Sequence, residues 1–204
     1  MTVTSTRTRA QPDRRAAIVA AACELMGESS FGGTPVPAVA ERAGVAIGTI
    51  YRYFPGKDAL ANTVYREAKL AMQGFLHEAL AGASSARDGF GRLWRGLFAF
   101  ARQHPAAFRF LELHRHQPYL DAASQDVARR VFADVAEFVR AAQAQGAVRA
   151  ESPELLIALA FGAFVGLMKE AEAGHVLLDD EAIEHAEESV WRLFQPASTQ
   201  EDPR

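Results

Sequence analysis

Between Gly44 and Lys57 the chain gathers side chains that can grip a partner without reacting with it: Ile47, Gly48, Thr49, Tyr51, Arg52 and Tyr53, then Lys57. Hydroxyls, aromatic faces, a guanidinium and an ammonium make hydrogen bonds and charge contacts to phosphates and base edges. On one short helix, with Val45 and Ile50 turned inward, they form a surface that a DNA major groove admits. Covalent chemistry has no comparable support, since the sequence contains no Gly-rich phosphate loop, G-x-S-x-G elbow or H-E-x-x-H pair. His114 and His116, two residues apart, lie about 200° apart around a helix and do not share a face. The single cysteine, Cys23, belongs to a distant segment. No catalysis, metal site or cofactor is expected.

The elements that must hold this surface are helices. Forty alanines and few runs of Val, Ile or Thr favour helix throughout, and no alternating strand pattern is visible. The expected fold is all-α with about nine helices. They are placed at 13–29, 34–43, 46–53, 58–80, 86–103, 105–116, 118–145, 153–173 and 179–194. Asp13 is expected to cap the first, Thr34 the second, with Pro35 at its first position, and Asp58 the fourth. Gly44 supplies the left-handed turn between the second and third. Two short helices joined by a tight Gly turn read as a helix-turn-helix, with Val39, small Ala40, Val45 and Ile50 at the crossing. The domain reading is a flexible arm over 1–12, a DNA-binding head over 13–57, a larger helical body over 58–195 and a frayed tail over 196–204.

The string Val39-Ala-Glu-Arg-Ala-Gly44-Val-Ala-Ile47-Gly48-Thr49-Ile50-Tyr51-Arg52-Tyr53-Phe54-Pro-Gly-Lys57-Asp-Ala-Leu60, with Thr34 before it, resembles the signature of the tetracycline-repressor (TetR) family of bacterial regulators. With the first helix, the resemblance covers about residues 13–65. It implies that Thr34 touches a phosphate from the start of the second helix, and that Gly48 lets the third approach the bases. Thr49 and Tyr51 would contact bases or backbone, Tyr53 a phosphate, and Lys57 would clamp another. Arg14 and Arg15 would reach the backbone, and Arg7 and Arg9 an adjacent minor groove. The chain departs from the usual pattern at Ala46, where a Ser commonly caps, at Ile47, where a Lys or Arg is common, and at Pro35 and Pro37 with Ala38. Ile47 is expected to meet a thymine methyl or a sugar, lowering the salt dependence of binding.

The body has two features of interest. Leu155 to Met168 is hydrophobic all round and must be buried on every face, either within the chain or against a second subunit. Ala158, Gly162 and Gly166 give it a smooth stripe, and Ile183, Val190 and Leu193 of the last helix are the expected partner stripe. The resemblance implies a four-helix homodimer interface from these. Trp94, Phe98, Phe108, Leu111, His114, Phe132, Phe161 and Phe164 either fill a core or line a cavity for a small apolar or aromatic effector, with His104, His116, Gln117 or Tyr119 as further polar anchors.

The whole reads as a ligand-responsive transcription regulator, most simply a repressor, that binds a palindromic double-stranded operator as a homodimer. The alternative is a helical ligand-binding protein or interaction module whose helix-turn-helix is structural only. The longest strongly apolar run is 14 residues, short of the roughly 20 that a membrane span needs. The first 15 residues carry no apolar core, so a cytoplasmic protein with no membrane partner is expected. The net charge of −3 divides into +2 over residues 1–60 (7 Lys/Arg, 5 Asp/Glu) and −5 over 61–204 (15 and 20). A mildly basic head and an acidic body suit a protein that presents one end to DNA.

Overall fold

The computed structural model describes residues 13–114, 116 and 118–196. The expected arm with Arg7 and Arg9, the candidate anchor Gln117, and the tail beyond Pro196 lie outside the described residues. Among those described there are nine α-helices and no strand: α1 (Arg14–Gly33), α2 (Val36–Arg42), α3 (Ile47–Tyr53), α4 (Lys57–Leu80), α5 (Ala86–Gln103), α6 (Pro105–Leu113), α7 (Ala122–Ala144), α8 (Pro153–Glu172) and α9 (Asp180–Phe194). No helix among them is long and apolar enough to cross a membrane.

Local chemistry sets most of the ends. The Asp13 carboxylate accepts from the amides of Arg15 and Ala16 at the start of α1, and Ser85, Asp121, Ser152 and Asp179 do the same for α5, α7, α8 and α9. Several expected ends move: α2 begins at Val36 with Pro35, not Thr34, as its cap, and α6 ends at Leu113 rather than near 116. α1 runs on to Gly33 across a kink at Ser30, whose φ of 67° and ψ of 170° lie in a region essentially reserved for glycine. The cap of α4 is Gly56, which has no side chain to offer, and Asp58 sits in the first turn, where its charge favours the dipole instead. The helix expected from Pro118 starts only at Ala122, because Asn62 of α4 ties down the segment before it. Its Nδ2 donates to the Tyr119 carbonyl at 2.8 Å and its Oδ1 accepts from the Asp121 amide at 2.9 Å.

Helix α4 is the axis, packed on α1, α5, α6 and α7. The head, α1 to α3, closes over Ile18, Ala22, Met26, Val39, Ala40, Ile50 and Phe54. Head and body meet chiefly where α1 crosses α6. There a Cβ on Gly27 would stand 2.7 Å from the Ala106 carbonyl oxygen, so the helices touch backbone to backbone. His114 Nε2 donates to the Gly27 carbonyl at 3.1 Å beside this crossing.

Candidate functional site

Gly44, at φ 66°, makes the turn that sets α3 across α2. Ile50, buried on the crossing, fixes which way α3 faces. Ile47, Gly48, Tyr51, Arg52 and Tyr53 are consequently exposed and Thr49 half-exposed. Tyr51 shows 52% of its surface. The Arg52 guanidinium lies 5.5 Å from the Tyr53 ring centroid, which pre-orients both groups outward. A Cβ at Gly48 would meet no atom within 4 Å. Internal packing therefore does not require glycine there, although glycine costs a helix interior about 0.5–1 kcal/mol relative to alanine. Ala46 provides no side-chain cap, which leaves the first amides of α3 without a side-chain partner.

The flanking cations are placed unevenly. Arg14 is exposed. Arg15 is paired with Glu67 at 2.9 Å, both about half-exposed, and leans over the Phe54 ring; exposed pairs of this kind are worth about 0–1 kcal/mol and exchange readily. Lys57 Nζ rests 4.5 Å from the Phe31 ring centroid.

Thr34 is not part of this surface. It is 2% exposed, and its hydroxyl donates backward to the carbonyls of Leu25 at 3.2 Å and Ser30 at 2.8 Å. The cap of α2 is Pro35. Pro35 and Pro37 have no N–H, and the amides of Ala38 and Val39 both bond the Pro35 carbonyl. Val36 alone among the first-turn residues keeps a free donor, so the start of α2 lacks the cluster of amides that holds a phosphate.

The aromatic residues of the body separate into a core and a cavity. Phe98 and Phe108 are buried against Phe164, with ring centroids 4.9 and 5.6 Å away. Leu111 is buried as well, and His114 turns to Gly27, so these five are packing or joint residues rather than cavity wall. Trp94, Phe132 and Phe161 do line a cavity of about 340 Å³ between α4, α5, α7 and α8. Phe132 and Ala158 line it while exposed, so it opens between α7 and α8. Tyr65 and Lys69 form its polar end; the sequence reading passed over both. They stand four residues apart in the stripe Tyr65, Lys69, Met72, Leu76, and a lysine inside an apolar stripe was the available signal.

Beside that end, His116 Nε2 donates to the Leu111 carbonyl at 3.2 Å, so Nδ1 of the neutral ring accepts from the Tyr119 hydroxyl. Burial holds the His116 pKa below its ordinary value and pushes those of Tyr65 and Tyr119 up. Burial also raises the Cys23 thiol to about 11, which keeps it protonated and unreactive.

Residues 67–195 match the family model described as "Tetracyclin repressor-like, C-terminal domain", and residues 18–64 match "Bacterial regulatory proteins, tetR family". The chain belongs to the tetracycline-repressor family. Members of this family are transcriptional regulators rather than enzymes, which settles the choice left open between a regulator and a module with a merely structural helix-turn-helix. The HTH-type transcriptional repressor KstR of Rhodococcus jostii is 48% identical over 48 residues, 24% of this chain and 23% of that repressor. An uncharacterized HTH-type regulator of Haemophilus influenzae is 22% identical over 187 residues, 92% of this chain and 98% of its own. A TetR-family regulator from Marinobacter aquaeolei shares the fold at a TM-score of 0.81 and 22% identity, covering 89% and 95% of the two chains.

In this TetR-family chain α8 is exposed along Leu155, Ala158, Leu159, Gly162 and Gly166 and buried at Leu156 and Phe164. A Cβ on either glycine would meet nothing within 4 Å. Of the three residues expected to answer it from α9, Leu193 is exposed, but Ile183 and Val190 are buried against the body's own core. The Ile183 carbonyl accepts from Trp94 Nε1 at 3.1 Å, and Arg87 and Arg95 hold the buried Glu187 at 2.6 and 2.7 Å, so that face of α9 is turned inward.

Proposed function

We propose that this regulator is a ligand-responsive repressor that binds a palindromic operator as a homodimer. The two α3 helices enter successive major grooves about 34–36 Å apart, or a multiple of that. The observation that carries this reading is the outward face of α3, where Ile47, Tyr51, Arg52 and Tyr53 stand exposed around a glycine that internal packing does not need. Arg14, Arg15, Thr49 and Lys57 complete the contacts. Homodimerisation through the bare stripe of α8 and Leu193 sets the spacing of the heads.

The cavity takes an apolar effector that prefers the conformation with the heads misplaced, since only differential affinity can release DNA. A packed series supports the connection. The Tyr65 ring meets His116 edge-on at 5.2 Å, His116 accepts from Tyr119, Tyr119 stacks on Phe31 at 4.2 Å, and Phe31 carries Lys57.

Selection from a random duplex library, followed by gel shift, tests this. A palindromic consensus should emerge. Tyr51→Ala should weaken it by about 1–3 kcal/mol with no change in molecular mass in solution. An asymmetric consensus, or undiminished affinity in Tyr51→Ala, would overturn the assignment.

A further inference from the structure

The polar end of the cavity limits the chemistry of what it can hold. Lys69 Nζ donates to Glu112 at 3.1 Å, and the two side chains are only 14% and 12% exposed. The ammonium has three N–H donors, and among the described residues Glu112 is its one hydrogen-bond partner. The Tyr65 hydroxyl has no partner among the described residues, yet no fully buried polar side-chain atom lacks one, so this hydroxyl borders open space. Tyr65 and Lys69 both line the cavity, and the rest of its wall is aliphatic and aromatic.

Among the described residues, Lys69 is the one charged group lining the cavity, and its partner Glu112 balances it. Burial keeps His116 uncharged, and Tyr65 and Tyr119 stay protonated. An arriving carboxylate would add an uncompensated charge beside a largely buried pair, or would have to break that pair and strand Glu112. A cation would meet Lys69. A pure hydrocarbon would strip water from the spare ammonium donors and the Tyr65 hydroxyl and return nothing.

We propose that the cavity binds a neutral, largely apolar molecule that seats one hydrogen-bond-accepting oxygen, of the ketone or ester kind, between Tyr65 and Lys69. This rests on the reading of the cavity as the effector site. Lys69 and Tyr65 donate to that oxygen while Lys69 keeps its bond to Glu112, and the chain of the ligand runs along Met72, Trp94, Val131 and Phe161.

The test compares three probes of equal chain length at neutral pH, a long-chain methyl ketone, a fatty acid and an alkane, through the fluorescence of Trp94 in the cavity wall. The ketone should bind about tenfold more tightly than either of the others. Lys69→Met with Glu112→Leu removes both charges at similar volume and leaves neither partner stranded. In that variant the ketone should lose about tenfold, while the alkane, no longer stripping water from an ammonium, should bind more tightly. Tightest binding of the fatty acid, lost in the double variant, would show that Lys69 receives an anion and overturn the proposal. So would equal binding of ketone and alkane. If no probe binds, the effector reading itself fails, and this proposal with it.

Discussion

Thr34 and Ile47 show what a single residue discloses before folding. Both have a hydroxyl or methyl suited to DNA, but only Ile47 is presented to solvent. Ile47 and the buried Ile50, three residues apart, lie only about 60° apart around α3, so the helical period alone does not separate them; Ile47 is exposed at the first position of the helix. The direction of the Thr34 hydroxyl depends on the unusual backbone at Ser30, four residues away, which no local preference announces. Lys69 was hidden for a different reason, since its partner Glu112 lies 43 residues on. If Ile47 faces DNA, Ile47→Lys adds one phosphate contact. The slope of log affinity against log salt should then steepen by about 0.9, read from gel shifts at several salt concentrations; an unchanged slope would place Ile47 off the interface. Gly27 and Gly74 give a pair of opposite sign. Gly27→Ala drives a methyl into the Ala106 carbonyl and should destabilise by about 1–3 kcal/mol. Gly74→Ala on α4, where a Cβ meets nothing, should stabilise by about 0.4–1 kcal/mol. Urea denaturation of both variants checks this.

At the level of elements, helix existence and order were plain from composition and punctuation, and so were the starts capped by Asp13, Ser85, Ser152 and Asp179, but not the one capped by Asp121. The junction from Leu113 to Ala122 was not, because Asn62 fixes it across 57 residues of chain. This junction also carries a pH dependence. Burial holds His116 below its unfolded value of about 6.5. In the window beneath that value the unfolded chain binds more protons than the native one, so the contribution of His116 is complete above about pH 6.5 and is lost as pH falls through the folded pKa. The midpoint of thermal unfolding should drop between pH 7.5 and 5, and His116→Gln should reduce the drop; an identical profile in the variant would assign the loss to other groups. On α8, all-round hydrophobicity implied burial on every face, but the chain itself covers only one. Leu159, 46% exposed on the bare side, is the place to test it. Leu159→Glu should halve the mass seen by sedimentation while the helical circular dichroism is kept, and a mass that stays put would move the dimer contact elsewhere.

Across the whole molecule, the charge division between head and body was readable from the sequence, and so was the two-part architecture. What the sequence did not disclose is how the parts are joined. At most helix crossings a layer of side chains separates the two backbones, and side chains absorb small displacements by changing rotamer. The crossing of α1 over α6 has no such layer at Gly27, where main chain rests on main chain and His114 adds a hydrogen bond beside it. Tightly packed interiors of this kind are poorly compressible and pass strain on instead of dissipating it. The joint therefore behaves as a stiff coupling rather than a spring. A small tilt of α6, which packs against the axial helix that carries the polar end of the cavity, turns the head by nearly the full amount, with little lost to compliance on the way.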